Sequence, residues 1–210
     1  MIIRLDVPYD EKDLAKANGA KWNPNEKTWF TDDMTKLSLL SKWLVKHNVI
    51  CENLYILKMS RLCWKCKKET YVVCLGSDRS FSKESNYQMN TNIQLFSYVE
   101  SMPIILGDYM KHYFAYYPSF SKTIDRTYYV NHCNHCGVIQ GDNYNHEVPE
   151  EAFYKKLCYK KSKSTEYFEV NNRYYVPLEA RLPYYDEVSS SYALLMNHVL
   201  EGGPDNRAAL

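Results

Sequence analysis

Four of the seven cysteines stand in two pairs whose spacing suits a metal ion. Cys63 and Cys66 form C-W-K-C, and Cys133 and Cys136 form C-N-H-C, followed directly by Gly137. Two residues between cysteines let both thiolates of a pair reach one ion from a tight turn, and two such turns complete a tetrahedral site. A closed shell of four thiolates leaves no position for water or substrate, so we expect a structural Zn2+ ion.

The sequence also allows other interpretations of these residues. A single C-x-x-C pair can be redox-active in thioredoxin-like folds, although neither pair here opens a helix after a parallel strand. His132, His135 and His146 lie near the second pair, so one of them could replace a cysteine as a ligand. Zinc ribbons usually separate their two pairs by roughly 15–20 residues, whereas residues 67–132 lie between them here. An inserted subdomain would explain this separation, since the ligands need only meet in space.

The cysteine count and the N-terminal residues indicate a reducing compartment. Seven cysteines are an odd number, and the first residues are charged where a signal peptide would be apolar. We therefore expect a cytoplasmic protein, with Cys74 and Cys158 as buried free thiols and the role of Cys51 open. The longest apolar runs fall far below the roughly 20 residues of a spanning helix, so we expect no membrane contact.

A small group of titratable residues follows the second pair. Asp142, His146 and Glu147 are close in sequence and could surround a divalent metal in a nuclease. They could equally cap or pack against a helix that begins near Pro149, where acidic residues favour the helix dipole. The sequence contains no phosphate-binding glycine loop, no nucleophile elbow and no H-E-x-x-H helix. It therefore favours a protein without catalytic activity and keeps the nuclease as an alternative.

Basic residues beside the first pair point to a binding function. The formal net charge is only +1, so binding of nucleic acid would depend on local clusters. Lysine and arginine neutralise phosphates, and an exposed aromatic ring stacks on a base. We predict nucleic-acid contacts from Arg61, Trp64, Lys65, Lys67, Lys68, Lys160 and Lys161. The alternative is a protein-interaction module that inhibits or recruits a host complex, and the oligomeric state stays open.

Residues 1–48 are predicted to form a small α/β unit. A strand at 2–5 precedes a helix that has Asp10 as its N-cap and Gly19 as its C-terminal stop. We expect the inward-facing side chains of this helix to be Leu14, Ala15 and Ala17.

A hairpin and a second helix are expected to complete this unit. Trp22 and Trp29 flank Asn23-Pro24-Asn25, whose residue types predict a turn between two strands. Paired tryptophans in a small unit are more often part of its core than a binding surface. Asp32 or Asp33 is expected to cap the second helix. Its buried side chains are predicted to be Met34, Leu37, Leu40 and Leu44, with Trp43 beside them.

Two further regions are predicted, a split zinc-ribbon region at 49–148 and a C-terminal segment at 149–210 packed on it. The polar stretch 77–92 is the best candidate for a loop. In the first region we expect strands at 51–59, 71–75, 93–99 and 126–131 and a helix at 103–115. In the second we expect a helix near 150–160, a strand pair around 166–176 and a helix at 186–200. The predicted fold class is α+β: a small N-terminal α/β unit plus a split zinc ribbon with an inserted α+β subdomain.

The N-terminal sequence resembles a short bacterial domain of unknown function that occurs alone or beside TraC-type plasmid primases and antirestriction proteins. The resemblance covers about a fifth of the chain. It rests on Val7, Pro8, Tyr9, Glu11, Lys12, Asp13, Ala15, Lys16, Gly19, Ala20, Trp22, Lys27, Trp29 and Phe30. The two cysteine motifs look like an uncharacterised zinc-ribbon-like region of similar bacterial proteins. Both resemblances imply a mobile-element or phage-related setting, and neither implies an activity.

Overall fold

The computed structural model describes residues 2–44, 47–91, 94–147, 165–171, 176–181 and 207–209. Within these residues the chain has the predicted α+β fold, with one sheet of three strands and one of ten. None of the helices in this part of the chain is long and apolar enough to cross a membrane.

The small sheet contains the predicted tryptophan hairpin. Its antiparallel strands are β1 (Ile3–Leu5), β2 (Lys21–Asn23) and β3 (Thr28–Thr31), in the order β1-β3-β2. The Asn23 side chain accepts hydrogen bonds from the two backbone N–H groups at positions 25 and 26, which closes the turn. Trp22 and Trp29 lie opposite each other, with ring centroids 5.3 Å apart. Trp29 is buried, whereas Trp22 is exposed at the edge of this core.

The first helix differs from its prediction. It consists of a 3-10 turn (Tyr9–Glu11) and helix α1 (Lys12–Ala17). Glu11 is the N-cap residue of α1, so the predicted Asp10 cap is wrong. Ala15 is buried as expected, but Leu14 is 52% exposed and Ala17 is also exposed. A helix of six residues turns less than twice, so it presents a single position to the core.

The second helix follows its prediction more closely. It is built from a 3-10 turn (Met34–Lys36), helix α2 (Leu37–Leu40) and a 3-10 turn (Ser41–Trp43), and the Asp33 side chain caps it by accepting the Thr35 N–H. Leu37, Leu40, Trp43 and Leu44 are buried, and Met34 packs against them. Ile50 and Phe81 of the larger sheet belong to the same cluster, as does Tyr87 of the turn at 83–87. The N-terminal unit therefore buries its apolar side chains against the larger sheet.

A long antiparallel hairpin dominates the larger sheet. Strands β4 (Val49–Leu62) and β5 (Glu69–Ser82) pair along their whole length, which confirms and extends the predicted strands at 51–59 and 71–75. The predicted loop at 77–92 is wrong for residues 77–82, which belong to β5. The rest of the predicted loop is interrupted by β6 (Met89–Asn90), which pairs with β5.

Buried serines explain why a polar sequence forms this strand. Ser77 Oγ donates to the Asn53 carbonyl at 2.5 Å, and Ser80 Oγ donates to Gln94 Oε1 at 2.8 Å. A buried hydroxyl with a partner costs far less than an unpaired one, so these polar residues are compatible with the interior of a sheet.

The rest of the larger sheet packs against one helix and includes strands from the C-terminal region. Helix α3 (Ile104–Phe114) and strands β7 (Gln94–Ser101) and β9 (Arg126–His132) confirm their predictions, while β8 (Tyr116–Ser121) was not predicted. Strand β11 (Thr165–Asn171) confirms one strand of the pair expected around 166–176. Strand β12 (Val176–Arg181) begins where that range ends, and the two strands pair with β4 rather than with each other. The remaining strands are β10 (Ile139–Gln140) and β13 (Arg207–Ala209). The helices predicted at 150–160 and 186–200 lie outside the described residues.

Leu106 and Met110 of α3 pack on the main core together with residues of β4, β5, β7 and β9. The order β10-β9-β7-β12-β4-β11-β13, with β5 joined to both β4 and β7, brings the β4–β5 and β9–β10 hairpins into one sheet.

Gly76 marks a close approach of β5 to its neighbours, so we expect Gly76→Ala to destabilise the protein. A Cβ atom at this position would lie 2.9 Å from Leu95 Cδ2 and 3.1 Å from the Gln94 carbonyl oxygen, which is backbone and cannot easily move. Overpacking of this kind costs about 1–3 kcal/mol. Urea unfolding of the purified protein measures the change. Gly141→Ala is the matched control, since its Cβ would come no nearer than 3.9 Å to another atom; equal unfolding free energies for the two variants would contradict the expectation.

Candidate metal centre

Each cysteine pair lies in the turn of a β-hairpin. Residues 63–68, the first knuckle, connect β4 to β5, whose ends pair at Leu62 and Glu69. Residues 133–138, the second knuckle, connect β9 to β10, whose ends pair at His132 and Ile139.

The two knuckles have the same backbone structure. In each, the N–H of the first cysteine donates to the carbonyl five positions later, at 2.9 Å in both. The N–H four positions after that cysteine donates back to its carbonyl, at 3.0 Å in the first knuckle and 2.9 Å in the second. The residue after the second cysteine has a left-handed backbone in both, with φ 60° at Lys67 and 68° at Gly137.

Three hydrogen bonds hold the knuckles against the opposite hairpins, one from the first knuckle and two from the second. They join Trp64 Nε1 to the Ile139 carbonyl at 2.7 Å, the Asn134 N–H to Thr70 Oγ1 at 3.1 Å, and His135 Nε2 to the Glu69 carbonyl at 2.7 Å. The contact between the knuckles is therefore fixed by more than the cysteines.

All four predicted ligands meet between the knuckles. Their sulfur atoms lie within 4.8 Å of one another, so the cluster could hold a metal ion. Cys63 Sγ is 3.7 Å from Cys136 Sγ, and Cys66 Sγ is 3.7 Å from Cys133 Sγ. A tetrahedral ion with metal–sulfur bonds of about 2.3 Å has sulfur–sulfur edges of about 3.8 Å. The donor set and its spacing therefore fit a tetrahedral thiolate-bound metal.

Backbone N–H groups favour the ionised form of two of these thiols. Burial raises the pKa of Cys63, but hydrogen bonds from the N–H groups of Cys66 and Lys65 outweigh it and lower that pKa to about 6. Gln140 Nε2 also points at this sulfur, at 3.3 Å. Burial likewise raises the pKa of Cys133, and N–H groups of the second knuckle lower it below its usual value. Thiolates are the form that binds metal, so the knuckles are prepared for a cation.

Cys136 behaves in the opposite way. The Val138 N–H lowers its pKa, but burial and the three neighbouring cysteines outweigh this bond and raise the pKa to about 11. Thiols this close cannot all ionise without a positive charge among them, since each new anion repels the last. A divalent cation removes that repulsion, so metal binding and complete ionisation of the cluster are coupled.

The three histidines of the region have other partners. His132 stacks on Tyr117 with ring centroids 3.7 Å apart, and its Nε2 accepts from Ser119 Oγ at 2.9 Å. His135 donates to a carbonyl of β5, as described above, and His146 is buried. None of them belongs to the sulfur cluster, which is the one group of three or more His, Cys, Asp and Glu ligand atoms found among the described residues.

Two of the remaining cysteines are buried in the main sheet. Burial raises the pKa of Cys51 to about 12 and places that of Cys74 well above its usual value. The burial of Cys74 was predicted. Such thiols stay protonated and behave as small apolar residues. Cys158 lies outside the described residues.

The predicted basic residues divide into two groups. Lys65, Lys67 and Lys68 are exposed on the first knuckle, beside Trp64, which is 53% exposed. Arg61 is half-buried, and its guanidinium donates to Asn145 Oδ1 at 2.6 Å. Lys160 and Lys161 lie outside the described residues, so their position relative to the first knuckle stays a prediction.

Asp142 and His146 have buried, structural surroundings. Asp142 is 1% exposed, and its Oδ2 accepts the Tyr98 N–H at 2.7 Å. Burial lowers the pKa of His146 to about 4, so its ring is neutral at pH 7. The side chain of Glu147 lies outside the described residues. Asp142 and His146 are therefore buried side chains and do not form an exposed metal-binding pair.

Several residues around the centre could not be identified from the sequence. Gln140 and Thr70 contact the knuckles through space, 77 and 64 positions away from the groups that they bind. Neither belongs to a motif, and a lone glutamine or threonine in a strand carries no recognisable signal. The predicted cysteines were recognisable because two pairs have a diagnostic local spacing.

Residues 3–45 match a family described as "Domain of unknown function (DUF5710)". The match covers the N-terminal unit and agrees with the expected short domain of unknown function at this end of the chain. Neither a curated protein nor a solved structure matches the chain.

We expect the four-cysteine cluster to bind one metal ion per chain and to be needed for folding. Cys66→Ser should lose the metal, because a hydroxyl does not ionise near neutral pH and binds zinc-type metals poorly. A metal bound in a structural four-ligand site contributes about 10–16 kcal/mol, which exceeds the stability of an ordinary domain. Native mass spectrometry measures the metal content, and circular dichroism measures the folded fraction.

Cys74→Ala is the control for this experiment, because Cys74 is a buried cysteine outside the cluster. It should keep a full complement of metal with a modest loss of stability. Metal retention by Cys66→Ser at the level of Cys74→Ala would show that the cluster is not the binding site.

The buried His146 predicts a loss of stability in mild acid. Its folded pKa of about 4 lies below the unfolded value of 6.5, so the unfolded chain binds a proton more readily between these values. The stabilising contribution is complete above pH 6.5 and declines as the pH falls towards 4. Between pH 7.5 and pH 5 this term removes about 2 kcal/mol.

Urea unfolding of the metal-loaded protein and of His146→Gln at several pH values isolates this effect. The stability advantage of the natural protein over the variant should shrink on acidification, while metal loss affects both proteins alike. A difference that stays constant from pH 7.5 to pH 5 would contradict the assignment.

Proposed function

We propose that this chain is a non-catalytic, zinc-stabilised protein that binds nucleic acid through its first knuckle. Zn2+ is the proposed ion, because tetrahedral four-thiolate sites favour it and because the closed shell suits a structural role. The two hairpins would then form a zinc ribbon divided by an inserted α+β region. The observation that supports binding is the lysine at the strained position of the first knuckle.

Lys67 occupies a backbone conformation that glycine adopts without cost. Its φ of 60° matches the 68° of Gly137 at the equivalent position of the second knuckle. A left-handed conformation costs a residue with a side chain roughly 1–2 kcal/mol, and such strain is concentrated at functional sites. A lysine retained there contributes something that glycine lacks, and the exposed ammonium group is the evident difference.

The surroundings of Lys67 suit a phosphate backbone. Lys65 and Lys68 are also exposed on this turn, so three ammonium groups lie within four residues. The indole N–H of Trp64 is fixed by the Ile139 carbonyl, which holds the half-exposed ring in one orientation. Clustered cations neutralise phosphates, and a fixed aromatic ring offers a stacking surface for a base.

A second candidate function is an interaction with a protein partner. Leu62, at the end of β4, is 65% exposed and stands beside the exposed Trp64 across Cys63. Two large apolar side chains at one hairpin end are typical of an anchoring site in a protein interface. The partner would be a host complex that the chain inhibits or recruits.

A mobile-element or phage setting belongs to this proposal because of the N-terminal sequence. That sequence resembles a short domain that occurs alone or beside plasmid primases and antirestriction proteins. The likeness supports the setting by analogy alone.

Lys67→Gly separates binding from folding. Glycine fits the left-handed position, so the variant should be as stable as the natural protein or slightly more stable. Its affinity for single-stranded DNA or RNA should fall, and the slope of log K against log salt should become shallower by about 0.7. Fluorescence anisotropy across a salt series measures both. A triple change, Lys65→Ala with Lys67→Gly and Lys68→Ala, should reduce the slope by about 2.

Lys111→Ala is the matched control, because it removes the same charge from an exposed position of α3. Its affinity and salt slope should equal those of the natural protein. An absence of nucleic-acid binding at low salt would overturn the proposal and leave the protein-interaction alternative. Equal effects of Lys67→Gly and Lys111→Ala would show that only net charge matters.

A further inference from the structure

Strand β7 contains a bulge at the point where it passes between β9 and β12. Between the pairs Glu179–Ser101 and Arg181–Ser97, β7 advances by four residues while β12 advances by two. Bulges bend a strand and redirect side chains, and they are frequent beside functional sites.

Tyr98, inside this bulge, has a backbone conformation that large side chains avoid. Its φ is 48°, which is rare for a bulky residue and rarer still within a strand. The buried carboxylate of Asp142 accepts its N–H at 2.7 Å and so holds the bulge in place. A buried carboxyl group therefore supports a strained tyrosine, and strain of this kind is typical of ligand-contacting residues.

Tyr98 and Glu100 both line a cleft beside this bulge. The cleft has a volume of about 530 Å³, within the roughly 300–1,000 Å³ of small-molecule sites. Tyr98 lies against the buried Tyr128, with ring centroids 5.2 Å apart. Next to them, Glu100 Oε1 and Arg126 Nη1 form an ion pair of 3.2 Å whose side chains are largely exposed. Both pairs line the cleft.

One wall of the cleft is fixed by a pair of hydrogen bonds. The Asn48 side chain donates to the Ala180 carbonyl at 2.6 Å and accepts the Ala180 N–H at 2.9 Å. Both polar atoms of the Asn48 side-chain amide are thus bonded to the protein, and Tyr98, Glu100 and Arg126 supply the aromatic and charged part of the lining. The lining is aromatic and buried at one end and charged and exposed at the other.

We propose that this cleft binds one nucleotide, with its base against Tyr98 and its phosphate at Arg126. The planar guanidinium donates to a phosphate in a bidentate manner, and its ion pair with Glu100 keeps it at the mouth of the cleft. The same chemistry is offered by a free mononucleotide and by the terminal nucleotide of a single strand. The proposal rests on nucleic acid being the ligand of the chain, and it names a second contact outside the first knuckle.

Tyr98→Gly is the decisive variant, because glycine adopts a φ of 48° freely and keeps the N–H that Asp142 accepts. It should keep the bulge and the fold, with a modest loss of stability because the ring packing on Tyr128 is removed. Its affinity for a mononucleotide should fall by about tenfold or more. Tyr98→Phe keeps the ring and should retain binding. Arg126→Gln should abolish the preference for a nucleoside monophosphate over the matching nucleoside. Isothermal titration of the full, metal-loaded chain with the four ribonucleoside monophosphates and with short 5′-phosphorylated strands measures these affinities.

The outcomes separate this proposal from the knuckle function. Mononucleotide binding that Tyr98→Gly weakens and the triple lysine variant leaves unchanged supports the cleft. Tighter binding of the phosphorylated strands than of mononucleotides identifies a strand end as the ligand, and equal binding identifies the free nucleotide. Failure of all mononucleotides to bind at millimolar concentration, or equal affinity of Tyr98→Gly and the natural protein, would overturn the cleft proposal even where long strands still bind through the knuckle. Mononucleotide binding without binding of long strands would instead overturn the knuckle function alone.

Discussion

The meeting of four thiols from two distant hairpins is the constraint on which the rest of the structure depends. The cysteine pairs that approach each other are 67 and 73 positions apart. Closing a loop of this length costs about 4 kcal/mol from its length alone. A structural zinc ion, as proposed here, contributes about 10–16 kcal/mol and outweighs that cost several times. The metal would thus determine that the β4–β5 and β9–β10 hairpins stay together, while the hydrogen bonds between the knuckles determine their orientation.

What could be predicted from the sequence was local. The cysteine pairs, the hairpin around Asn23, the Asp33 cap and helix α3 each depend on residues within a few positions of one another. The N-terminal family match extends this, because it recognises a string of such local features. The errors arose where a distant partner decides the structure. The serines of β5 resemble a loop until Asn53 and Gln94 provide their hydrogen bonds, and Leu14 resembles a core residue until the six-residue helix turns it to solvent.

Two electrostatic roles are open to the lysines of the first knuckle: stabilising the thiolates of the metal site and contacting a ligand. The two roles place different requirements on the backbone conformation of the lysine. Four thiolates around a divalent ion carry a net charge of −2, so any nearby cation is favourable. Lys65 and Lys68 can supply that charge from unstrained positions, and backbone N–H groups already stabilise the thiolates of Cys63 and Cys133. Stabilising the centre therefore does not require a lysine in a left-handed conformation. The left-handed conformation of Lys67 is therefore not explained by the metal site, which is why the proposed binding role is assigned to it.

The segment after the second knuckle connects the metal centre to the cleft. Gln140 donates to Cys63 Sγ, and two residues later Asp142 accepts the N–H of the strained Tyr98. Asn145 bonds both the Gln140 carbonyl and Arg61 of the first hairpin, which fixes the segment at its other end. The carboxylate of Asp142 can hold the bulge only while this short segment is in place, and the segment is in place only while the two hairpins meet. Burial of His146 in the same segment adds to this dependence, because a charged ring there would have to leave the interior. Asp142 and His146, which resemble part of a catalytic group in the sequence, thus act as structural supports for the bulge and for the segment itself.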